Sequence, residues 1–532
     1  MKNNMPDMNT PAGTFWWLFV SIAVIYGFAL FNHGFVPSME PRFAEVIKEM
    51  VRNGDYLIPV KNGRPYVEYP PLLYWLGAAG KQMGLPMQAA IRLPCYLGLL
   101  GWLAWMVRLQ RLLAYDWPAY AFVLVGAASP GILFHFFTAQ PDSLLILGVL
   151  IAYTGFVRFR QSGRIDNSIF WELWGGIALA TAAKGPVGIV VTLPAMALEM
   201  LWAASLQTGL KQLLSFSGVR RLWHLFWPMA WFRGAGILLL VTVPWYIAAY
   251  FTEGWDFIRA TVIYQNVYRF LYPGFAHNNP WWYFFPNILA TMLPIGFFIL
   301  FGLVRAFRER QHLQYRLPLV WGVFTFVFFS MSVSKQGKYI LPAAPAFIAL
   351  GFMGLRMVGD FFGKTPLVWK MLRGWSIGFI AFWGVLVIGV LPFLNERITD
   401  QSGFDTIRNT IAQAPGKIVH FQWPRSTTLY QLGDPMDFVR SSRELYDRIR
   451  NGDIRPGDYL LVRQFDLASG PNDTNPAHLI LPSNGMLKEV LRVKAKNEMV
   501  LYRVAENART LTAPATPEPP PVDWRHQLFD TD

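Results

Sequence analysis

Only one cysteine, Cys95, occurs among the 532 residues, so the chain forms no internal disulfide, no cysteine-ligated zinc site and no dithiol redox site. Charged residues are also scarce, at 15% against roughly 25% in ordinary soluble proteins. Hydrophobic residues reach 53% and aromatic residues 16%, which excludes disordered, collagen-like and coiled-coil chains. The net charge is +14, but Lys and Arg are spread between long apolar runs rather than clustered. The composition therefore favours a membrane protein over a nucleic-acid-binding protein.

Apolar runs dominate the chain as far as residue 394. A membrane-spanning helix needs about 20 mostly apolar residues, and about eleven such stretches occur. They lie near 13–32, 90–107, 118–137, 142–157, 169–183, 186–203, 234–250, 282–303, 317–333, 340–355 and 374–393. The first stretch has no signal-peptide cleavage pattern before His33, so we interpret it as a retained helix. The sequence predicts an all-α polytopic membrane domain, 1–394, with about 11–13 transmembrane helices.

The basic residues are distributed unevenly between the predicted loops. If the N-terminus is cytoplasmic, Lys and Arg concentrate in the inner loops, as the positive-inside rule requires. The short outer connections then hold only Lys184, Lys335 and Lys338. We therefore expect a multi-pass protein of the bacterial inner membrane, with its polar motifs on the periplasmic side.

Two regions differ from the apolar runs. Residues 33–89 mix charged and apolar residues and are predicted to form an outer loop of the membrane domain. Residues 395–510 carry strand-like runs separated by Gly, Pro and Asp, which predicts a small soluble α/β domain on the outer, periplasmic face. The Pro-rich stretch 511–532 predicts a disordered tail.

Ionisable residues near membrane depth are functional candidates, because an unpaired charge there is costly. On the predicted topology they all fall on the outer side: Glu40, Arg42, Glu45, Glu68, Asp142, Lys184, Arg269, His277, Lys335 and Lys338. Structural roles remain open for two of them, since Glu40 would complement the dipole of a helix capped by Ser38, and Asp142 would cap a span. Lys335 and Lys338 run against the positive-inside trend, which favours an anionic ligand.

Several short segments, taken in order, resemble the polytopic lipid-linked-sugar glycosyltransferases of the GT-C type. This family includes the bacterial aminoarabinose transferases of lipid A and, more distantly, the protein O-mannosyltransferases. The resemblance covers roughly residues 10–395. The matching segments are Glu40-Pro-Arg-Phe-Ala-Glu45, Gly54-Asp-Tyr-Leu-Ile-Pro59, Glu68-Tyr-Pro-Pro71, Pro141-Asp142, Lys184-Gly-Pro186, Pro244-Trp-Tyr246, Asn266-Val-Tyr-Arg-Phe270, Pro280-Trp-Trp-Tyr283, Ser332-Val-Ser-Lys335 and Tyr339-Ile-Leu-Pro342.

The resemblance implies a glycosyltransferase that moves a single sugar from a polyprenyl-phosphate carrier to a lipid or glycan acceptor, such as lipid A or lipopolysaccharide. It implies inversion at the anomeric carbon and a periplasm-facing site in the inner membrane. The expected partners are the sugar donor, the acceptor and membrane lipids, with no nucleic acid. Two alternatives stay open. The first alternative to a transferase is a catalytically altered relative that binds polyprenyl-phosphate lipids as an accessory subunit without transferring sugar. The second is a lipid-linked-sugar transporter.

The resemblance also assigns roles to individual residues. A polyprenyl phosphate leaves without protonation, so the site chiefly needs cations for its charge and sometimes a base for the acceptor. The catalytic candidates are Glu40 and Asp142. The donor-phosphate candidates are Lys184, Arg269, Lys335 and Lys338, and the substrate-pocket candidates are Arg42, Glu45, Glu68, Tyr69, Asn266 and Tyr339.

The sequence departs from the family pattern at three positions. Met39 stands where the family usually has Asp, Tyr69 where it usually has Lys, and Gln265 where it commonly has Glu. His277 aligns near a position that helps to bind a divalent ion in some relatives and is the candidate metal ligand. The lost carboxylates argue against a metal site, so no cofactor is assigned with certainty and a divalent metal stays open. The base is then Glu40 or Asp142, or the acceptor is already ionised and needs none.

Overall fold

The computed structural model describes residues 11–36, 39–115, 117, 121–209, 220, 223–272, 277–394, 400–422, 424–433, 435–463, 485–493 and 498–511. Contacts divide the chain into two compact units. The first contains Met1–Asn32, Asp55–Pro59 and Val67–Val390, and the second contains His33–Gly54, Val60–Tyr66 and Leu391–Asp532. The predicted cap at Ser38 and all but the first residue of the predicted tail lie outside the described residues.

Helices form most of the described chain. In order they are α1 (Pro11–Ala29), α2 (Glu40–Asn53), α3 (Leu72–Gln82), α4 (Met87–Leu112), α5 (Ala121–Ala127), α6 (Pro130–Phe137), α7 (Pro141–Ser162), α8 (Asn167–Phe170), α9 (Gly176–Lys184), α10 (Val187–Val190), α11 (Leu193–Thr208), α12 (Trp231–Ile258), α13 (Arg269–Leu271), α14 (Phe284–Thr291), α15 (Ile299–Arg308), α16 (Leu313–Met331), α17 (Ala344–Phe361), α18 (Thr365–Gly384), α19 (Gln401–Gln413), α20 (Ser426–Leu432) and α21 (Ser442–Asn451). Wider π-helical turns occur at Trp171–Gly175, Arg259–Tyr268 and Val385–Val390, and tighter 3-10 turns at Trp227–Met229, Gly296–Phe298, Gly337–Ala343 and Ala508–Thr510.

The described residues contain six helices that are long and apolar enough to cross a membrane. These are Met87–Leu112, Pro141–Ser162, Val187–Gln207, Trp231–Leu271, Gly337–Phe361 and Leu367–Leu394, with a shorter apolar helix at Phe15–Ala29. Other predicted spans are divided into shorter helices. The stretch 118–137, for example, contains α5 and α6, because Ser129 before Pro130 takes an extended conformation that ends the first helix. The predicted polytopic helical membrane protein is confirmed.

Two carboxylates, the partly buried Glu172 and the fully buried Glu199, join the helices of the first unit near the C-terminal end of α7. Glu172 binds arginines of α4 and α7, and Glu199 of α11 binds arginines of α7 and α16. The ion pairs are Arg108–Glu172 at 2.5 Å, Arg158–Glu172 at 2.8 Å, Arg160–Glu199 at 3.0 Å and Arg316–Glu199 at 2.7 Å. Because α7 has 22 residues, these clusters lie about 25–30 Å along it from Asp142 in its first turn.

The second unit contains the small α/β domain that the sequence predicts. Its mixed sheet has the order β4-β3-β5-β7-β6, with strands β3 (Ile418–Phe421), β4 (Asp437–Val439), β5 (Tyr459–Arg463), β6 (Leu487–Val493) and β7 (Met499–Val504). β3 pairs in parallel with β4 and β5, and β7 pairs antiparallel with β5 and β6. Every residue of β5 is buried, because Leu460 and Val462 face one apolar core while Tyr459 and Leu461 face the other.

The second unit also includes part of the predicted outer loop. The short strands β1 (Val60–Lys61) and β2 (Arg64–Pro65) are joined by Asn62 and Gly63, whose positive φ angles of 51° and 70° suit a tight hairpin turn. In the side-chain amide of Asn62, Oδ1 accepts a hydrogen bond from Met436 N at 2.7 Å and Nδ2 donates one to Met436 O at 3.2 Å. Glu49 of α2 accepts hydrogen bonds from the backbone amides of Asn62 and Gly63, so the hairpin is fixed to both α2 and the C-terminal chain.

Candidate functional site

A cavity of about 370 Å³ lies within the first unit. This volume falls in the range of roughly 300–1,000 Å³ that is usual for small-ligand pockets. The charged residues that line it are Glu68, Asp142, Lys184, Arg269 and Lys338, and its apolar walls include Leu145, Val187, Val190, Phe270, Leu271 and Phe328. The cavity therefore combines a cationic region with an apolar surface.

The carboxylate of Asp142 binds two lysines at once. It lies in the first turn of α7, after Pro141, and its side chain is 2% exposed. Its Oδ1 pairs with the ammonium of Lys184, and its Oδ2 lies 3.4 Å from Nζ of Lys338. Because two ammonium groups repel each other, the carboxylate between them stabilises their close approach. Asp142 thus acts as the counter-ion that holds the two lysines together.

The backbone positions both lysines at the cavity. Lys184 ends α9, and Gly185 follows with φ +77° and ψ −151°, a conformation that Gly adopts readily and other residues avoid. Lys338 lies in the 3-10 turn Gly337–Ala343, and its Nζ also donates to Oε1 of Gln140 at 3.4 Å. The ammonium of Lys184 lies 5.5 Å from the ring centroid of Tyr339, which adds a cation–π contact.

Arg269 and its neighbours come from a wide helical turn that continues α12. The π-helical stretch Arg259–Tyr268 leads directly into α13, and such turns often occur at functional sites. Nη1 of Arg269 donates to Oε1 of Gln265 at 3.1 Å. The amide of Asn266 donates to the backbone oxygens of Thr261 and Val262, at 3.1 and 3.0 Å. All three polar side chains line the cavity.

Lys335 and His277 lie on neighbouring backbone segments and are not among the residues lining the cavity. The amide of Lys335 donates to His277 O at 3.0 Å. Nζ of Lys335 donates to the backbone oxygens of Asn279, at 2.9 Å, and Ser332. The ammonium of Lys335 thus stabilises the loop, whereas Lys338, three residues later, faces the cavity.

The surroundings of His277 do not fit a divalent cation. Partial burial, and then the nearby charges of Arg269 and Lys338, lower the pKa of His277, so the imidazole lies in a cationic environment. Across the described part of the chain, no group of three or more His, Cys, Asp or Glu side chains is arranged to hold a metal ion. We therefore derive no catalytic step through a metal.

The remaining predicted residues lie on α2, which belongs to the second unit. Glu40 is fully buried, and its Oε2 accepts a hydrogen bond from the backbone amide of Val36 at 2.7 Å. Glu45 is also buried and pairs with Lys48 at 3.5 Å. Arg42 lies between them on the same helix. The predicted catalytic and substrate roles of Glu40, Arg42 and Glu45 stay predictions.

The cavity brings together eight of the predicted site residues: Glu68, Tyr69, Asp142, Lys184, Asn266, Arg269, Lys338 and Tyr339. It also includes Gln265 and Tyr246, which the sequence analysis did not assign to the site. A signal for Tyr246 exists in the sequence, because its hydroxyl interrupts an otherwise apolar run. In the sequence, Gln265 is distinguished only by its departure from the Glu that is common in the family.

The helical unit and its cationic cavity define the class, a polytopic membrane protein with a charged site among apolar helices. No protein-family model matches the sequence. The chain is 29% identical over 364 residues to the undecaprenyl phosphate-alpha-4-amino-4-deoxy-L-arabinose arabinosyl transferase of Erwinia tasmaniensis. This match covers 66% of the chain and 60% of the transferase. An uncharacterized protein of Aquifex aeolicus is 25% identical over 386 residues, which cover 70% of the chain and 68% of that protein.

The fold is also similar to that of a solved structure, ArnT from Cupriavidus metallidurans. The apo crystal structure gives a TM-score of 0.67 at 19% identity, covering 93% of the chain and 99% of ArnT. The crystal structure bound to undecaprenyl phosphate gives a TM-score of 0.65 at 20% identity, with the same coverage. The resemblance to the lipid-linked-sugar transferases that the sequence motifs indicated is therefore confirmed.

Proposed function

We propose that the protein is a glycosyltransferase that moves one sugar from a polyprenyl-phosphate carrier to a lipid or glycan acceptor, such as lipid A or lipopolysaccharide. The observation that carries the proposal is the pair of lysines held together by Asp142 inside an apolar-walled cavity, with Arg269 in the same wall. The sequence similarity to an arabinosyl transferase that is named for an undecaprenyl-phosphate-linked sugar supports the same donor class.

The cations suit the leaving group of such a reaction. In a direct displacement, an acceptor oxygen attacks the anomeric carbon while the bond from that carbon to the phosphate oxygen breaks, and the configuration inverts. The electron pair of the broken bond stays on the phosphate. Lys184, Lys338 and Arg269 would receive this charge, and preorganised cations stabilise a developing anion most strongly where water is excluded. Three cations outnumber the two lining carboxylates, Asp142 and Glu68.

The apolar walls suit the carrier lipid. Val187, Val190, Phe270 and Phe328 lie in the same cavity as the cations, so an amphiphile with a phosphate headgroup and an isoprenoid chain matches both surfaces. A soluble nucleotide sugar would leave the apolar walls without a partner. This match, together with the structure of ArnT bound to undecaprenyl phosphate, supports a polyprenyl-phosphate lipid as the ligand.

We place the cavity at the periplasmic side of the inner membrane. The arginine clusters around Glu172 and Glu199 lie towards the C-terminal end of α7, and the cavity residue Asp142 lies at its N-terminal end. Because Arg-rich ends of helices face the cytoplasm, the Asp142 end would face the periplasm.

Asp142 is a poor candidate for the base. A carboxylate that binds two ammonium groups is stabilised as the anion and gains little by accepting a proton. Glu40 is then the candidate base, unless the acceptor is already ionised. We predict that Glu40→Gln abolishes transfer but leaves undecaprenyl-phosphate binding within about twofold of the unchanged protein, measured by lipid binding and turnover on one preparation. Unchanged turnover would remove Glu40 from the mechanism.

Mass spectrometry of lipid and polysaccharide fractions, from cells with and without the gene, tests the function in the cell. We expect one fraction to lose a mass step of a single sugar in the deletion strain and regain it on complementation. If no fraction changes while the protein is expressed in the membrane and binds undecaprenyl phosphate, the result would favour the relative that binds lipid without transferring sugar.

A further inference from the structure

The side-chain amide of Gln265 has a fixed orientation in the cavity wall. The neighbouring guanidinium determines which end of this amide is the oxygen. Arg269, one helical turn later, approaches Oε1 at 3.1 Å. A guanidinium has only donors, so the atom it meets must be the amide oxygen. The nitrogen of Gln265 therefore points away from Arg269.

That nitrogen is a buried donor with no acceptor. Nε2 of Gln265 is shielded from solvent, and no described residue accepts a hydrogen bond from it. A buried donor without an acceptor is unfavourable, and native structures pair such groups with water or with a ligand. Because Gln265 lines the cavity, the missing acceptor would be supplied by a molecule that occupies it.

The charges of the cavity restrict what that molecule can carry. Lys184, Lys338 and Arg269 face two lining carboxylates, and Asp142 is already bound to both lysines. The two carboxylates and the phosphodiester of the donor together balance these three cations, so an ammonium group on the sugar would add one uncompensated positive charge to the cavity. Like charges at close range in a site of low dielectric constant repel each other strongly. Gln265 would disfavour an amino sugar further, because its N–H group and an ammonium group are both donors and cannot bind each other.

We infer that Gln265 donates a hydrogen bond to an oxygen of the transferred sugar, and that the site takes a neutral, hydroxyl-bearing sugar in preference to an amino sugar. This inference rests on the proposed function and narrows its substrate. It separates the chain from the Erwinia tasmaniensis relative, whose name specifies a 4-amino-4-deoxy-arabinose. Gln265 would be the residue that determines this specificity, through the N–H group that Arg269 orients towards the ligand.

Binding of three defined lipids to the full chain in nanodiscs tests the inference. They are undecaprenyl phosphate, the same lipid carrying a neutral pentose, and the same lipid carrying a 4-amino-4-deoxy pentose. We expect the neutral-pentose lipid to bind at least tenfold more tightly than the amino-pentose lipid. Gln265→Glu replaces the donor by an acceptor and should reduce this ratio at least tenfold. Equal or tighter binding of the amino-pentose lipid by the unchanged protein would overturn the inference.

Two further variants control the experiment. Gln311→Glu makes the same chemical change at an exposed position between α15 and α16 and should keep the unchanged ratio. Gln265→Ala should weaken binding of the neutral-pentose lipid without weakening undecaprenyl phosphate itself. If it weakens both equally, Gln265 binds the phosphate and the inference is wrong.

Turnover separates this inference from the proposed function. Selective binding of the neutral-pentose lipid without any transfer would uphold the sugar preference and refute the transferase. Efficient transfer of the amino pentose would uphold the transferase and refute the sugar preference.

Discussion

Replacing Asp142 by Asn should strengthen the binding of undecaprenyl phosphate while it slows transfer. The substitution keeps the size of the side chain but removes the negative charge between Lys184 and Lys338. The lysines would then carry two uncompensated charges, which a phosphate can neutralise. Transfer should fall because the lysines lose the group that fixes their positions and because the phosphate product leaves more slowly.

The distances give the size of the effect on binding. Nζ of Lys338 lies 3.4 Å from Oδ2 of Asp142. A phosphate oxygen bound to that ammonium at about 2.8 Å would lie roughly 6 Å from the carboxylate. At an effective dielectric constant of about 20, two unit charges at this distance repel each other by about 2.8 kcal/mol. The full electrostatic value corresponds to roughly a hundredfold gain in affinity. Because dissolved salt screens part of this repulsion, we expect a gain of about tenfold.

Titration of undecaprenyl phosphate into the nanodisc-embedded protein measures this affinity. Glu172→Gln is the matched control, because it removes a carboxylate that also binds two cations, Arg108 and Arg158, far along α7 from Asp142. The control should leave the affinity unchanged. If Asp142→Asn binds the lipid with unchanged or weaker affinity while Glu172→Gln behaves normally, the phosphate does not bind at this lysine pair.

Three other predictions follow from the described contacts. Lys338→Ala should weaken donor binding at least tenfold and Lys335→Ala less than threefold, because of these two lysines only Lys338 lines the cavity. Equal losses of binding in the two variants would show that the anion site is elsewhere. Burial, and then the nearby charge of Arg463, lower the pKa of His420 to about 3. As the pH falls, His420 is therefore protonated in the unfolded chain before it is protonated in the folded one. The stability that is present above pH 6.5 is lost as the pH falls towards 3. Hydrogen exchange in β3 and β5, corrected for its intrinsic pH dependence, should therefore accelerate between pH 7 and 4, and a variant with His420→Gln should lose most of that acceleration. Chelators should change turnover less than twofold, and strong inhibition that one divalent ion reverses would restore the metal site to the mechanism.

The sequence predicted the membrane helices and the small α/β domain well, because both depend on local patterns. Apolar runs identify helices in a bilayer, and runs such as 459–463 identify a buried strand. The breaks within helices were harder to predict. α5 ends at Ala127, and Ser129 is extended before Pro130, although the composition of 118–137 is apolar throughout.

The site was predictable only in part, because its residues come from segments distant in the chain. Lys335 and Lys338 look alike in the sequence, yet the 3-10 turn directs Lys338 to Asp142, while Lys335 binds backbone oxygens. The partnership of Gln265 with Arg269 depends on how the π-helical turn places the two side chains. Charge and spacing indicate that cations are needed, but they do not specify which side chains reach the cavity.

The proposed transferase is tested most directly by turnover in a defined system. The purified protein would be placed in liposomes with a lipid-linked sugar donor and a lipid A acceptor. Mass spectrometry would follow the masses of both lipids over time. We predict that the donor becomes undecaprenyl phosphate while the acceptor gains the mass of one sugar, and that a variant with Lys184→Met and Lys338→Met does neither. A donor that binds with the affinity expected of a substrate but stays intact with both lipid and glycan acceptors would contradict the proposed activity.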